Sequence, residues 1–337
     1  MNKPKIYFAY GSSLRVFLNA FRPDVFEKFD LAFPPENVFI PEQNEVLKQL
    51  GIFDGYIGIN PIDKDFIDAG KNLKIICSLS IGYDHINVPY ATEKGIWVCN
   101  CQEGPENSTA DHTVGLMIAA NRQYHKSEKF LRDGKWNAPN YEISIGNEMV
   151  GKHVGLIGFG KIGQCVARRL SLGFGMKVHY FARHQVSEEI EKKYEAVYES
   201  NLNELCEKCQ FISVHVPLNK ETTHLIGKEQ FDRMKDVIFI NTSRGPIVDE
   251  QALVEALQSK NLRSVGLDVF ENEPKIHPDL ISNPLVTLTP HIGGSTIEAR
   301  WRLVETALIN CEELLINKKD PKTPINQIYE TENNQKK

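Results

Sequence analysis

This chain lacks the features that would set it apart from ordinary globular proteins. No apolar run approaches the roughly 18 residues of a membrane-spanning helix, so no membrane partner is expected. No block of Lys and Arg occurs and the formal net charge is −5, which argues against nucleic acid as a partner. With that charge, an anionic ligand would need local positive groups against a mildly repulsive field. Cysteine is sparse and odd in number: Cys77, Cys99, Cys101, Cys165, Cys206, Cys209 and Cys311. Most lie in apolar segments, so reduced thiols in a cytoplasmic setting are expected rather than a disulfide framework. Cys206 and Cys209 have C-x-x-C spacing, but no second Cys/His pair stands at zinc spacing, and the pair ends a helical pattern. They read as packing cysteines, and no metal is expected. There is no internal repeat or low-complexity tract. Residues 1–13 are charged early with a short apolar stretch, which reads as a first strand and not as a signal peptide. Residues 331–337 are polar, are expected to fray, and do not form a Ser-Lys-Leu-type address.

The 337 residues are 41% hydrophobic and 25% charged, enough for about two domains with a core each. In the first hundred residues, short apolar runs (5–10, 28–33, 55–59, 73–79 and 96–100) alternate with amphipathic stretches (13–20, 42–50, 63–70 and 87–94). That is the pattern of a parallel α/β domain. A single long helix is expected over about 108–130, followed by a polar loop over 133–148. A second series starts at Lys152, with strands expected over 153–158, 176–181, 210–216, 236–241, 264–269 and 285–289. Its helices are expected over 161–172, 187–194, 201–208, 228–234 and 249–259, and another long helix over about 295–316. The two long helices bracket the second series. The simplest organisation therefore inserts a domain of residues 105–292 into one built from 1–104 and 293–337.

Gly158-Phe159-Gly160-Lys161-Ile162-Gly163 matches the dinucleotide-binding pattern G-x-G-x-x-G and stands where that pattern must, between a strand and a helix. Gly158 permits the tight turn, Gly160 admits a pyrophosphate, and Gly163 lets the helix approach the sheet. The helix N-terminus favours the phosphates. An acid for the adenine ribose is expected at the end of the next strand, where this chain has Ala182 followed by Arg183 and His184. A missing carboxylate removes a repulsion against a 2′-phosphate, and Arg183 can bond to one. NADP(H) is the expected preference, with NAD(H) as the alternative.

Three segments at the ends of late strands carry polar residues that core packing does not explain. They are 240–245 with Thr242 and Arg244, 268–274 with Asp268, Glu271 and Glu273, and 289–294 with His291, Gly293 and Gly294. Ligands of open parallel sheets bind at the carboxyl ends of strands. An arginine can hold a carboxylate through two parallel bonds, and a histidine is the usual acid/base near neutral pH. A carboxylate beside the histidine fixes its tautomer. With a hydride-carrying dinucleotide, the implied reaction is reduction of a carbonyl next to a carboxylate.

These motifs, with Ser213-Val214-His215-Val216-Pro217-Leu218, Thr222, the stretch 241–250 and Leu79-Ser80-Ile81-Gly82-Tyr83-Asp84-His85, carry a resemblance. From about residue 50 to 320 the chain is similar to the D-isomer-specific 2-hydroxyacid dehydrogenases. The nearest pattern is that of the glyoxylate and hydroxypyruvate reductases. The resemblance implies an α/β protein of two Rossmann-like or flavodoxin-like parallel-sheet domains, the cofactor domain inserted into the substrate domain. It implies His291 as the acid/base, Glu273 rather than Glu271 as its partner, and Arg244 as the binder of the substrate carboxylate and carbonyl. Ser80, Ile81 and Gly82 would cradle the substrate carboxylate through backbone N–H groups, and Asp268 would contact the nicotinamide amide. The glycine loop including Phe159, Lys161 and Ile162, together with Thr109, Val216, Pro217, Leu218, Thr222, Thr242, Gly293 and Gly294, would line the cofactor site. A 2-oxo acid would enter between the domains. A homodimer is the expected assembly, with the region 108–145 and Trp136 at its surface.

The glyoxylate/hydroxypyruvate branch often has a second tryptophan shortly after the one matching Trp136, where this chain has Pro139. The stretch 266–280 and the spacing from Glu273 to His291 also resemble fungal-type enzymes acting on bulkier oxo acids. Branched or aromatic 2-oxo acids are therefore the alternative substrates. A non-catalytic dinucleotide-sensing regulator of the same fold is the alternative from another class. Glu273 stands where formate dehydrogenases carry glutamine, which argues against that branch.

Overall fold

A strand covered on both faces must be apolar throughout, and β-branched or aromatic side chains fit its pleat best. In the computed structural model, which describes residues 3–11, 13–101, 104–139 and 142–328, the apolar runs become such strands. The chain divides into two compact units, one made of the residues up to Gly104 with those from Ile297 onward, the other of Pro105–Thr296. The tail 331–337 lies outside the described residues.

In the first unit β1 (Lys5–Phe8), α1 (Ser13–Phe21), α2 (Val25–Lys28), β2 (Asp30–Ala32), α3 (Gln43–Leu50), β3 (Gly55–Gly58), α4 (Lys64–Ala69), β4 (Ile75–Ser78), α5 (Val88–Glu93) and β5 (Trp97–Cys99) follow in sequence. Its parallel sheet has the order β2-β1-β3-β4-β5, the flavodoxin-like arrangement.

The second unit contains α6 (Glu106–Asn121), α7 (Tyr124–Arg132), β6 (His153–Ile157), α8 (Lys161–Arg168), β7 (Lys177–Phe181), α9 (Glu188–Tyr194), β8 (Ala196–Tyr198) and α10 (Leu202–Lys208). It continues through β9 (Phe211–Val214), α11 (Lys228–Arg233), β10 (Val237–Asn241), α12 (Glu250–Gln258), β11 (Leu262–Leu267), α13 (Pro278–Ser282) and β12 (Val286–Leu288). The parallel order is β12-β11-β10-β9-β6-β7-β8, so the direction of winding reverses between β6 and β9. In such a sheet that reversal opens the crevice where a dinucleotide sits. One core fills each face, with Cys206 and Cys209 inside one of them and their thiols pushed up to about 12 by burial.

The structure departs from the sequence pattern in several places. The helix expected over 108–130 is two helices, because Gln123 adopts a left-handed φ of 48°. The Asn121 side chain bonds both backbone groups of Asn147, which holds the chain at the bend. The expected helix 161–172 ends as α8 and continues as a wider π turn over Arg169–Gly173. The short edge strand β8 and the single-turn α13 carry too few residues to show a period. The join between units falls after Thr296 rather than at 292. Asp268 accepts the N–H groups of Ile292 and Gly293, and Ser295 N–H bonds to Ile292, so that turn stays with the second unit.

Among the described residues no helix is long and apolar enough to cross a membrane. After the second unit, α14 (Ile297–Cys311) completes the core of the first, packing Leu303, Val304, Ala307, Leu308 and Cys311 with Ile6, Phe8, Ile75 and Cys77. Arg22 reaches Glu305 at 2.5 Å and Lys28 reaches Glu312 at 2.7 Å on its flank. The following segment seals the edge of β5. Asn326, only 8% exposed, accepts from Val98 N–H at 2.8 Å and donates to Ile96 O and Thr92 Oγ1. Thr323 donates its hydroxyl to Asn100 O at 2.6 Å.

Replacing Asn326 by Ala leaves the buried Val98 N–H and Ile96 carbonyl without these partners, and is expected to cost about 1–3 kcal/mol of unfolding free energy. Urea unfolding of the variant checks this; a midpoint equal to that of the parent would show the seal to be energetically idle.

Candidate active site

Between β6 and α8 the chain must turn sharply without side chains in the way. Gly158 has φ +101°, and a Cβ there would stand 2.6 Å from the His215 carbonyl carbon. A Cβ on Gly163 would overlap the Gly158 carbonyl, whereas one on Gly160 would meet nothing within 4 Å. No side chain caps the start of α8 at Gly160. A tight turn, an open approach at the middle glycine and an uncapped helix start are what a pyrophosphate requires, so these residues fit a dinucleotide. Phe159 does not share in the open face, since its ring stacks on Tyr180 in the core at 4.1 Å. Ile162 packs half-buried against the same core, and Lys161 is exposed.

Arg183 and His184 follow β7 at the surface. Near them Glu221 lies 3.7 Å from the Arg183 guanidinium, both side chains exposed. Glu221 sits on a well-bonded turn. Asn219 Oδ1 accepts from the N–H groups of Glu221 and Thr222, and the Thr222 hydroxyl donates to Pro217 O at 2.7 Å. Thr222 therefore shapes the loop after Val216 with its hydroxyl. Ser243 ties that loop to the next strand end by donating to Val216 O.

His291 follows β12 with a left-handed φ of 53°, a conformation that only strong local bonding maintains in a non-glycine residue. Its Nδ1 lies 2.8 Å from Glu273 Oε2. A carboxylate only accepts, so Nδ1 carries the hydrogen and Nε2 is the nitrogen left for proton transfer. Burial works to raise the Glu273 carboxyl, but the His291 bond and charge, the Phe270 N–H and the Arg244 charge outweigh it and hold it below the ordinary value. Arg244 is half-buried after β10; its carbonyl accepts from Asn241 Nδ2 and its Nη1 donates to Ser243 O. A Cβ on Gly245 would overlap the Phe270 carbonyl, so the residue after Arg244 must be glycine for the two loops to meet this closely.

Glu271 belongs to a different pair. Its carboxylate lies 2.8 Å from His224 Nε2, while its own N–H donates to Glu250 Oε1 at 2.7 Å. Both contacts brace the loop that carries Glu273, and His224 stands in no motif that would have announced it.

Asp268, 1% exposed, is the hub of the site. Its carbonyl accepts from His291 N–H, and its carboxylate accepts from Ile292 N–H at 2.9 Å, Gly293 N–H at 2.8 Å and the Thr289 hydroxyl at 2.6 Å. His112, on α6, adds its Nε2 at 3.2 Å from Asp268 and 3.1 Å from Thr289 Oγ1. Burial acts to raise the Asp268 carboxyl; the bonds from His112, Thr289 and Ile292 prevail and lower it. Thr109 and Thr242 meet around Thr113, whose hydroxyl lies 2.7 Å from Thr109 O and 2.8 Å from Thr242 Oγ1. The structure thus gathers Arg244, Glu273, Asp268 and His291 at neighbouring strand ends of one sheet, with Gly293 held against Asp268 and Gly294 next along the turn.

Ser80, Ile81 and Gly82 belong to the first unit, on the loop after β4. Ser80 Oγ donates to Gly82 O at 2.5 Å, Asn100 Nδ2 donates to Ile81 O at 2.6 Å, and Cys101 N–H donates to Ser80 O. All three loop carbonyls are thereby turned into their own unit.

Residues 114–293 match the family model described as D-isomer specific 2-hydroxyacid dehydrogenase, NAD binding domain. The chain is 38% identical over 293 residues to a glyoxylate reductase of Thermofilum pendens, covering 83% of this chain and 84% of that one. It is 42% identical over 268 residues to a hydroxypyruvate reductase of Thermotoga maritima, covering 78% and 85%. The crystal structure of an NADPH-dependent glyoxylate/hydroxypyruvate reductase from Sinorhizobium meliloti, in complex with NADP and malonate, superposes with a TM-score of 0.83 at 27% identity, covering 96% of this chain and 97% of that one.

A carboxyl lowered in the folded state stabilises above its unfolded value, and that contribution is lost as pH falls through the lowered one. Asp268→Asn is therefore expected to be less stable than the parent at pH 7, with the gap narrowing as pH falls through the carboxylate range. Urea unfolding at several pH values measures the gap; one that widens towards acid would contradict the ionised hub.

Proposed function

We propose that this chain, which belongs to the D-isomer-specific 2-hydroxyacid dehydrogenase family, reduces glyoxylate- and hydroxypyruvate-type 2-oxo acids to 2-hydroxy acids. It carries an NAD(P)-binding domain and is an oxidoreductase of 2-hydroxy acids. The observation that carries the finer reading is the His291–Glu273 pair at 2.8 Å, with Arg244 close enough to act on the same carboxyl. When bound, the dinucleotide supplies the hydride. Arg244 binds the substrate carboxylate, and His291 delivers the proton on Nε2 to the oxo oxygen. Glu273 holds the ring by Nδ1 and stabilises the imidazolium. The second unit is the dinucleotide domain, and the Ser80–Gly82 loop of the first unit binds the substrate carboxylate.

The names of the relatives favour small 2-oxo acids, with bulkier ones as the second reading. Arg183 without an acid at 182 favours NADP(H), and Glu221 is the group that moderates that preference. The seven cysteines, all unpaired, suit the cytoplasm. A homodimer is favoured by α7, which buries none of its residues and exposes Tyr124 and Leu131, with Trp136 and Ile145 exposed on the segment that follows.

Steady-state kinetics with glyoxylate, hydroxypyruvate and a branched 2-oxo acid against both cofactors should give the highest kcat/KM for a small acid with NADPH. Faster use of NADH, or of the branched acid, would overturn the corresponding part. His291→Ala should lose most turnover and keep dinucleotide binding; equal loss of both would contradict its role. Sedimentation equilibrium should give a mass near two chains of 38.3 kDa, and a single-chain mass would remove the dimer.

A further inference from the structure

We propose that His112 is a positioning residue for the reduction, acting on His291 through Asp268. The catalytic loop is held by three consecutive N–H groups on one aspartate: His291 to the Asp268 carbonyl at 2.8 Å, and Ile292 and Gly293 to its two carboxylate oxygens. That carboxylate is therefore the fixed point from which the His291 ring is aimed, and it lies almost wholly out of solvent.

Two side chains orient it besides those N–H groups, one from the loop and one from α6. Thr289 gives its one hydroxyl hydrogen to Asp268 Oδ1 at 2.6 Å, which leaves the hydroxyl oxygen as an acceptor. His112 Nε2 lies 3.1 Å from that oxygen and 3.2 Å from Asp268 Oδ1. Both neighbours can only accept, so Nε2 of His112 carries hydrogen and donates to the pair. The ring also flanks the turn itself, with Cδ2 at 3.8 Å from where a Gly293 Cβ would stand. Among the described residues, no other side chain donates to Asp268 from outside the 289–293 segment. Without the donor from α6, the carboxylate is bonded only by groups of the loop it is meant to hold, and it can turn with that loop on a backbone that Asn241 O still fixes.

This role rests on His291 being the acid/base, and the test separates the two. His112→Leu, His112→Gln, Thr289→Val and His291→Ala are compared with the parent for kcat, KM, dinucleotide binding by fluorescence, and Tm. His112→Leu should lower kcat on the order of tenfold per folded molecule, as small misplacements of reacting groups do, with dinucleotide binding little changed. His112→Gln places an N–H near the position of Nε2 and should recover most of that loss. Thr289→Val should lower kcat in the same sense, which keeps the proposal open to refutation if His112→Leu does not fold. A merely structural histidine would lower Tm, and Leu and Gln would then not differ in kcat. Parental kcat in folded His112→Leu, or no difference between Leu and Gln, overturns the proposal. Parental turnover in His291→Ala overturns the acid/base reading instead, and His112 with it.

Discussion

One buried carboxylate organises the strand ends where the proposed chemistry lies. Asp268 takes the N–H groups of residues 291, 292 and 293 in succession, so a strained stretch of backbone is tied to the end of β11 at three points. A histidine in a left-handed conformation is costly, and such a residue persists only where its surroundings over-determine it. The cost of burying the charge is met locally, because its acceptors are occupied by amides, a hydroxyl and an imidazole.

The same principle is repeated one loop away with other residues. The 268–275 segment must hold Glu273 at the His291 ring, and it is braced on its far side by Glu271, Glu250 and His224. Gly245 lets the Arg244 turn lie directly against Phe270. Two of the loops are thus fixed by backbone contact and by carboxylates that do no chemistry in the proposed reaction. The precision lies in a layer beneath the side chains that would meet substrate.

How much of this was legible depends on whether a feature is local. The glycine loop between β6 and α8 is a short pattern in a short context, and its turn and open middle position are where the sequence puts them. The strand-end segments are equally visible, since polar residues at the ends of apolar strands have no packing reason to be there. The choice of Glu273 over Glu271 is a spacing the family resemblance supplies; the partner of Glu271 is invisible because His224 lies 47 residues away. His112 gives no local signal either, since its partner Thr289 lies 177 positions away. The break at Gln123 follows from Asn121 bonding to Asn147, a tertiary contact that overrides good helical periodicity. The approach of Glu221 to Arg183 is invisible for the same reason, since the two lie on different loops.

The return of the chain to its first unit has a consequence for how the protein is made. The core under β1 and β4 is closed by Leu303, Val304, Ala307, Leu308 and Cys311, and the edge of β5 is closed by Thr323 and Asn326. Cys77 and Cys311 touch across 234 positions. On a ribosome the first unit's early segments emerge with one face of their sheet covered only by Leu14, Leu18, Val25 and Phe29, while the inserted unit, contiguous in sequence, has all its partners at hand. The unit that begins earlier in the chain is completed later, and its core stays open at α14's place until residues 303–315 are made.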